Sequence, residues 1–376
     1  MAGLAAATLG ASVLVAASSA PPKKKAASTK LVAGKAAPKS AQPVGAKKAS
    51  KPAKSPWRVP SYADSTEGDF IDGDDLVARR AAAEALGRLN GTVVVAEADT
   101  GRLLTVVNQK VAYQSGFQPC STVKIPVALA ALRESLIYRD TLLRVYGRTR
   151  FAMTEALAKS NNQYFASLGE KLGFERVSYY ARLFGLGEKA GLDIPGEQAG
   201  LLPPAIPRNG VGMMTSFGEG IYLTPLELTA LVGAVANGGT LYYLQYPSNQ
   251  RDAGALIPRV KRHLDIDQLI PEITPGLLGA VDYGTARRIG ADHERPIYGK
   301  TGTCTDSRSP THLGWVGSFS EVGDAKLVVT VLLTGGKLVS GPAAAGVAGE
   351  VYKSLNAQQY SVPKPPGTLA GIAGAN

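Results

Sequence analysis

Apolar residues recur at helical spacing over residues 75–89, at Ala78, Ala82, Ala85, Leu86 and Leu89, and Asn90-Gly91 stops the run. Thr92, Val93, Val94, Val95 and Ala96 then form an unbroken apolar stretch. A turn at Asp99-Thr100-Gly101 separates it from a second stretch over 103–107, which is the pattern of a β-hairpin. A helix is predicted over 121–136. Between about 150 and 280 the periodicity is mostly helical, with clear segments at 154–172, 175–184 and 225–236, punctuated by Gly and Pro. Strand patterns return at 297–300, 312–318 and 326–333, and a final helix fits 342–355. No internal repeat is visible.

Strands early, helices in the middle and strands again late predict an α+β fold. The early hairpin and the late strands must share one sheet if the molecule has a single core. The expectation is a central antiparallel sheet flanked by helices, with the helical middle as a subdomain of its own. The catalytic domain is expected over 57–360. Residues 21–56 are mostly Pro, Ala, Lys and Ser without periodicity, which predicts a disordered, self-repelling linker. Residues 361–376, rich in Pro, Gly and Ala, read as a disordered tail. The uncharged Ala-rich run at 1–20 reads as a signal peptide or a membrane anchor, although the basic region that normally precedes one is missing.

The net charge of +11 changes meaning once it is located. Residues 1–60 carry ten Lys and Arg58 with no acid, and the rest of the chain is neutral. The positive charge therefore belongs to a tail and argues against a nucleic-acid-binding face. It suits contact with anionic lipid or an anionic wall polymer. His263, His293 and His312 are scattered and lack ligand spacing, so no metal or other cofactor is implied.

Three short motifs carry the candidate chemistry. Ser121-Thr122-Val123-Lys124 lies at a predicted helix start, where i,i+3 spacing puts the hydroxyl and the amine on one face. A serine needs an adjacent base to act as a nucleophile, and a lysine serves if burial or a nearby positive charge disfavours its ammonium form. Ser160-Asn161-Asn162 offers a hydroxyl to relay a proton and, at Asn162, an amide to hold Lys124 and a substrate carbonyl. On its own it is also an ordinary capping or turn signal. Lys300-Thr301-Gly302-Thr303 ends an apolar strand. Lys300 and the two threonine hydroxyls suit a substrate carboxylate, and Gly302 would let a substrate backbone approach closely. The backbone N–H groups of Ser121 and Thr303 are the candidate oxyanion hole. Each motif alone is common.

Together and in this order they resemble the penicillin-binding protein and serine β-lactamase superfamily. FGLGEKAGLDIPGEQAG (184–200) is similar to a loop of peptidoglycan transpeptidases, SFGEGIYLTPLELTALVGAVANGG (216–239) to the long helix before their third motif, and GWVGSF (314–319) to the strand after it. The resemblance covers roughly 75–356. It implies an active site between sheet and helical subdomain, with Ser121, Lys124 and Ser160 catalytic and Asn162, Lys300, Thr301, Gly302 and Thr303 binding substrate. The implied reaction is D,D-transpeptidation or D,D-carboxypeptidation of peptidoglycan stem peptides outside the cytoplasm, with β-lactams as inhibitors. Departures from the pattern keep two alternatives open. STVKIP also resembles class D lactamases, but Asn162 stands where they usually carry Val. No glutamate is set in the class A deacylating pattern. A serine β-lactamase and a β-lactam or muropeptide sensor without turnover are therefore the other readings. Only 38 residues separate Ser121 from Ser160, which predicts a trimmed wall above the second motif.

The two cysteines, Cys120 and Cys304, each adjoin a proposed oxyanion donor. Donors to one oxygen must be close, so their neighbours fall within reach of a disulfide, and export would favour it. Carbapenem-hydrolysing class A lactamases carry a disulfide at a similar pair of positions. The alternative is two reduced core thiols.

Overall fold

The computed structural model describes residues 58–363, save residues 115 and 250; the leader, the linker and nearly all of the tail lie outside the described residues. The chain runs through α1 (Leu76–Leu86), β1 (Gly91–Glu97), β2 (Leu103–Val107), α2 (Gln109–Tyr113), a 3-10 turn (Cys120–Val123), α3 (Lys124–Arg133), β3 (Leu143–Tyr146), β4 (Thr149–Phe151), α4 (Met153–Ala158) and α5 (Asn162–Leu183). It continues through α6 (Gly210–Phe217), α7 (Pro225–Ala236), β5 (Thr240–Tyr242), β6 (Val260–His263), α8 (Ile270–Asp282), β7 (Tyr298–Thr305), β8 (His312–Val322), β9 (Ala325–Gly335) and α9 (Gly341–Ala357).

The early hairpin and the late strands do share one sheet, in the order β2-β1-β9-β8-β7, antiparallel throughout. Both of its faces are covered, which is why β1 and β9 read as nearly unbroken apolar runs. On one face Val93, Val95, Val329 and Val331 pack with Ala78 and Ala82 of α1 and Ala348 and Val351 of α9. On the other, Trp315, Val328 and Leu332 join a larger core with Leu228 and Val232 of α7 and the apolar residues of α3, α5 and α8. The fold is thus an α+β layering of helices, sheet and a helical region, and among the described residues β7 is an edge strand with no strand paired to its second side.

Local signals explain most element ends. Asp75 caps α1 by accepting from the N–H groups of Val77 and Ala78, and Thr224 with Glu227 forms a reciprocal capping box at α7. α3 is buried on every side from Lys124 to Leu132, as expected of a helix apolar all round its circumference.

The structure departs from the sequence expectations in several elements. The helix expected over 121–136 begins as a 3-10 turn, because Cys120 takes a left-handed φ of 53° and bends the chain sharply before α3. The helix expected over 154–172 breaks at Ser160, also left-handed at φ 53°. The strand expected at 297–300 extends through the whole third motif to Thr305, because pairing with β8 overrides its weak local strand preference. The hairpins β3–β4 and β5–β6 and the helices α2, α6 and α8 were not anticipated individually. Among the described residues no helix is long and apolar enough to cross a membrane.

Candidate active site

The 3-10 turn that carries Ser121 is held from three sides. Trp315, wholly buried in β8, donates its indole N–H to the Gln118 carbonyl at 2.9 Å. The Thr122 hydroxyl donates to the Pro119 carbonyl at 2.7 Å. Cys120 and Cys304 are joined by a disulfide, with their Cα atoms 5.5 Å apart, so the turn is covalently tied to β7. Alternation along β7 points Lys300, Gly302 and Cys304 to the side of that turn. A Cβ on Gly302 would lie 2.8 Å from the Pro119 carbonyl oxygen and 3.2 Å from the Ser121 nitrogen. The glycine therefore serves a close approach between two segments of this chain.

Ser160 comes to the same place from the helical region. It sits between α4 and α5, and the Asn161 side chain caps α5 by accepting from the Tyr164 N–H at 2.9 Å. The second motif is thus both the capping signal its composition suggests and part of a polar cluster. Lys124 Nζ lies 2.9 Å from Ser121 Oγ, 2.7 Å from the Ser160 carbonyl oxygen, 2.6 Å from Asn162 Oδ1 and 3.2 Å from Ser160 Oγ. Lys300 Nζ lies 2.8 Å from Ser160 Oγ and donates to its neighbouring Thr301 carbonyl at 2.8 Å. Fragments far apart in sequence thus meet around Ser160, which touches both lysines.

Burial sets the electrostatics. Both lysines are fully buried, while Ser121 keeps 8% exposure at the surface of the cluster. Desolvation first, then the positive charge of Lys300, pull the Lys124 ammonium down to about 6. Desolvation alone lowers Lys300 to about 7. The Phe165 ring, 5.5 Å from Lys124 Nζ, forms an apolar wall of the site. A neutral Lys124 amine has two N–H groups and one lone pair. The carbonyl oxygens of Ser160 and Asn162 can accept only N–H, so the lone pair is left for the Ser121 hydroxyl proton.

The threonines of the third motif occupy the other side of β7. The Thr301 hydroxyl is buried and 2.6 Å from that of Thr285, a residue sequence reasoning passed over. Thr285 follows α8, and its N–H is bonded to the Ala158 carbonyl at 3.1 Å, so it couples the third motif to the turn before Ser160. The exposed Thr303 accepts from the Gly341 N–H at the start of α9, at 2.7 Å, which leaves its own O–H as a donor. Tyr298 stacks on Phe319 at 4.9 Å, a packing role. The three histidines lie apart, and among the described residues no cluster of His, Cys, Asp or Glu could hold a metal ion.

Residues 91–357 match the family model described as the penicillin binding protein transpeptidase domain. The stage V sporulation protein D of Bacillus subtilis is 30% identical over 285 residues, covering 66% of this chain and 43% of that protein. The peptidoglycan D,D-transpeptidase MrdA of Escherichia coli is 25% identical over 227 residues, covering 51% of this chain and 36% of its own length. The chain thus spans less than half the length of these curated relatives. Among solved structures, the transpeptidase domain of penicillin-binding protein 3 from Burkholderia pseudomallei superposes with a TM-score of 0.63 at 19% identity, covering 78% of this chain and 96% of that one. PBPA from Mycobacterium tuberculosis gives 0.64 at 22%, covering 75% of this chain and 81% of that chain, and both likenesses speak to the fold.

Proposed function

Because the chain belongs to the penicillin-binding protein transpeptidase domain family, we propose that it is a serine D,D-transpeptidase or D,D-carboxypeptidase acting on D-Ala–D-Ala stem peptides of peptidoglycan outside the cytoplasm. One observation supports this reading above the others: the buried Lys124 amine lies 2.9 Å from Ser121 Oγ with its two carbonyl partners fixed.

In this reading neutral Lys124 takes the Ser121 proton as Oγ bonds to the penultimate D-Ala carbonyl carbon. The negative charge on the tetrahedral oxygen is met by the backbone N–H groups of Ser121 and Thr303. Collapse breaks the peptide C–N bond. The Ser160 hydroxyl gives its proton to the departing D-Ala nitrogen and regains one from Lys124, 3.2 Å away. Lys300, held 2.8 Å from Ser160 Oγ, keeps that hydroxyl in place and adds positive charge for the substrate carboxylate. The free O–H of Thr303 is a second donor for that carboxylate. An acceptor amine or water then repeats the steps in reverse and frees the enzyme. β-Lactams acylate Ser121 by the same first step and block it. The name of the MrdA relative supports the wall-synthesis setting, and the lysine-rich segment before residue 58 suits an anionic surface there.

The test is intact-mass spectrometry with a fluorescent penicillin, followed by peptide mapping. The expected result is one adduct on Ser121 that persists, and none on Ser121→Ala. A Ser121→Ala protein that labels like its parent refutes the proposal, and rapid turnover of nitrocefin by the parent replaces it with β-lactamase activity.

A further inference from the structure

The hairpin β3–β4 carries an unneutralised row of arginines. Its inner face is anchored: Val145 is buried, and Leu143 and Phe151 pack against the main core. Its outer face is free. Arg144 and Arg150 stand directly opposite each other across the strand pair, and Arg148 follows the left-handed Gly147 at the turn. All three are exposed, and none makes an ion pair among the described residues. Like charges directly opposite weaken a strand pair, so nothing in the folding of the hairpin asks for this arrangement. The nearby acids are committed elsewhere: Asp140 lies 3.7 Å and Glu272 3.9 Å from Arg139, and Glu155 pairs with Lys159 at 2.7 Å. Tyr138 and Tyr146, 71% and 76% exposed, flank the row.

The hairpin also adjoins the catalytic cluster. Lys159, the neighbour of Ser160, holds its ammonium 5.0 Å from the ring centroid of Phe151, the neighbour of Arg150. Local rules are broken at functional sites, and this hairpin breaks one beside the candidate site.

We infer that the outer face of this hairpin is a binding surface for the carboxylates of the peptidoglycan strand whose stem peptide enters the site. The inference rests on the proposed wall substrate and adds a recognition element to it. The charge complementarity is direct. Uncross-linked strands repeat free carboxylates at every stem peptide, and guanidinium groups take carboxylates in paired hydrogen bonds. Exposed tyrosines offer flat faces to the sugar rings. The arginines stand on the outer face of the hairpin, away from its core-facing residues, so they should act on polymer binding and not on acylation by a small β-lactam.

The experiment compares the full-length chain with its Arg144→Gln/Arg150→Gln variant, and separately with Arg148→Gln. Three surfaces are used: purified sacculi, sacculi whose carboxyls have been converted to amides, and vesicles of phosphatidylglycerol. The expected result is that the double variant binds native sacculi between about threefold and tenfold more weakly at low salt. The parent should lose the same advantage on amidated sacculi and in about 1 M salt, where charges are screened beyond about 3 Å. The rate of Ser121 labelling by fluorescent penicillin should be equal in all proteins, which also shows that the variants are folded. Equal binding of parent and double variant to native sacculi overturns the inference. So does undiminished binding of the parent to amidated sacculi, or an arginine dependence seen only on the vesicles. Absence of penicillin labelling in the parent defeats the catalytic proposal instead, whatever the sacculi show.

Discussion

Lys124 is the residue through which the proposed reaction should depend on pH. Its ammonium is pulled down to about 6 by burial and then by Lys300. Acylation of Ser121 by a β-lactam should therefore rise with pH along a limb centred near 6, a value that belongs to the coupled lysine pair. Lys300→Gln removes the second charge and should move that limb upward; a limb that stays in place would show that burial alone sets it. Stability follows the same groups. Between about 6 and the ordinary 10.5, the unfolded chain holds a proton on Lys124 that the folded chain does not. The unfolding free energy should thus gain a contribution that grows as pH rises through that window and is smallest in acid. Chemical denaturation of the parent and of Lys124→Met at several pH values checks this, the variant showing the shallower slope.

Two elements, the 3-10 turn at Cys120–Val123 and the edge strand β7, carry the proposed oxyanion donors, and they meet across the bare Cα of Gly302. Gly302→Ala should force them apart, since its methyl would sit 2.8 Å from a backbone oxygen. Misplacing one oxyanion donor costs about 100- to 1000-fold in rate. We expect a fall of that order in the second-order rate constant for penicillin acylation, with the far-ultraviolet circular dichroism of the fold retained. Acylation at the parental rate would mean that the donors lie elsewhere. The loop after β7 is fastened to the same region. The Arg308 guanidinium lies 3.6 Å from the Tyr222 ring centroid and donates to the Gly116 carbonyl at 2.6 Å, and the Ser307 N–H donates to Gln118 Oε1 at 3.3 Å.

Across the whole molecule the disulfide matters most through the unfolded state. It closes a loop between residues 184 apart, the longest-range covalent restraint in the described fold. Chain entropy assigns such a loop about 5 kcal/mol. Replacing both cysteines by Ala should lower the unfolding free energy by several kcal/mol, read as a shift in the denaturant midpoint. An unchanged midpoint against the oxidised parent would show that the bridge is energetically idle. The bridge joins the turn that carries Ser121, at the head of a helix in the larger core, to the edge of the sheet, so its loss should also loosen the contact between them.

The sequence by itself determined the candidate reactive groups and most of the regular elements. The i,i+3 pair Ser121 and Lys124, the polar second motif, Lys300 and the two cysteines are all visible in it. So are α1, the β1–β2 hairpin, α7, β8, β9 and α9, because amphipathic period and unbroken apolar runs are short-range signals. Tertiary structure decided the rest. Whether Lys124 is a base depends on burial by the assembled fold and on the charge of Lys300, which lies far along the chain, and no local pattern encodes either. The left-handed turns at Cys120 and Ser160, the extension of β7 through the third motif and the contact that requires Gly302 come from packing between distant segments. The arginine row of β3–β4 was equally hidden: three arginines in a polar stretch say little until pairing sets two of them face to face.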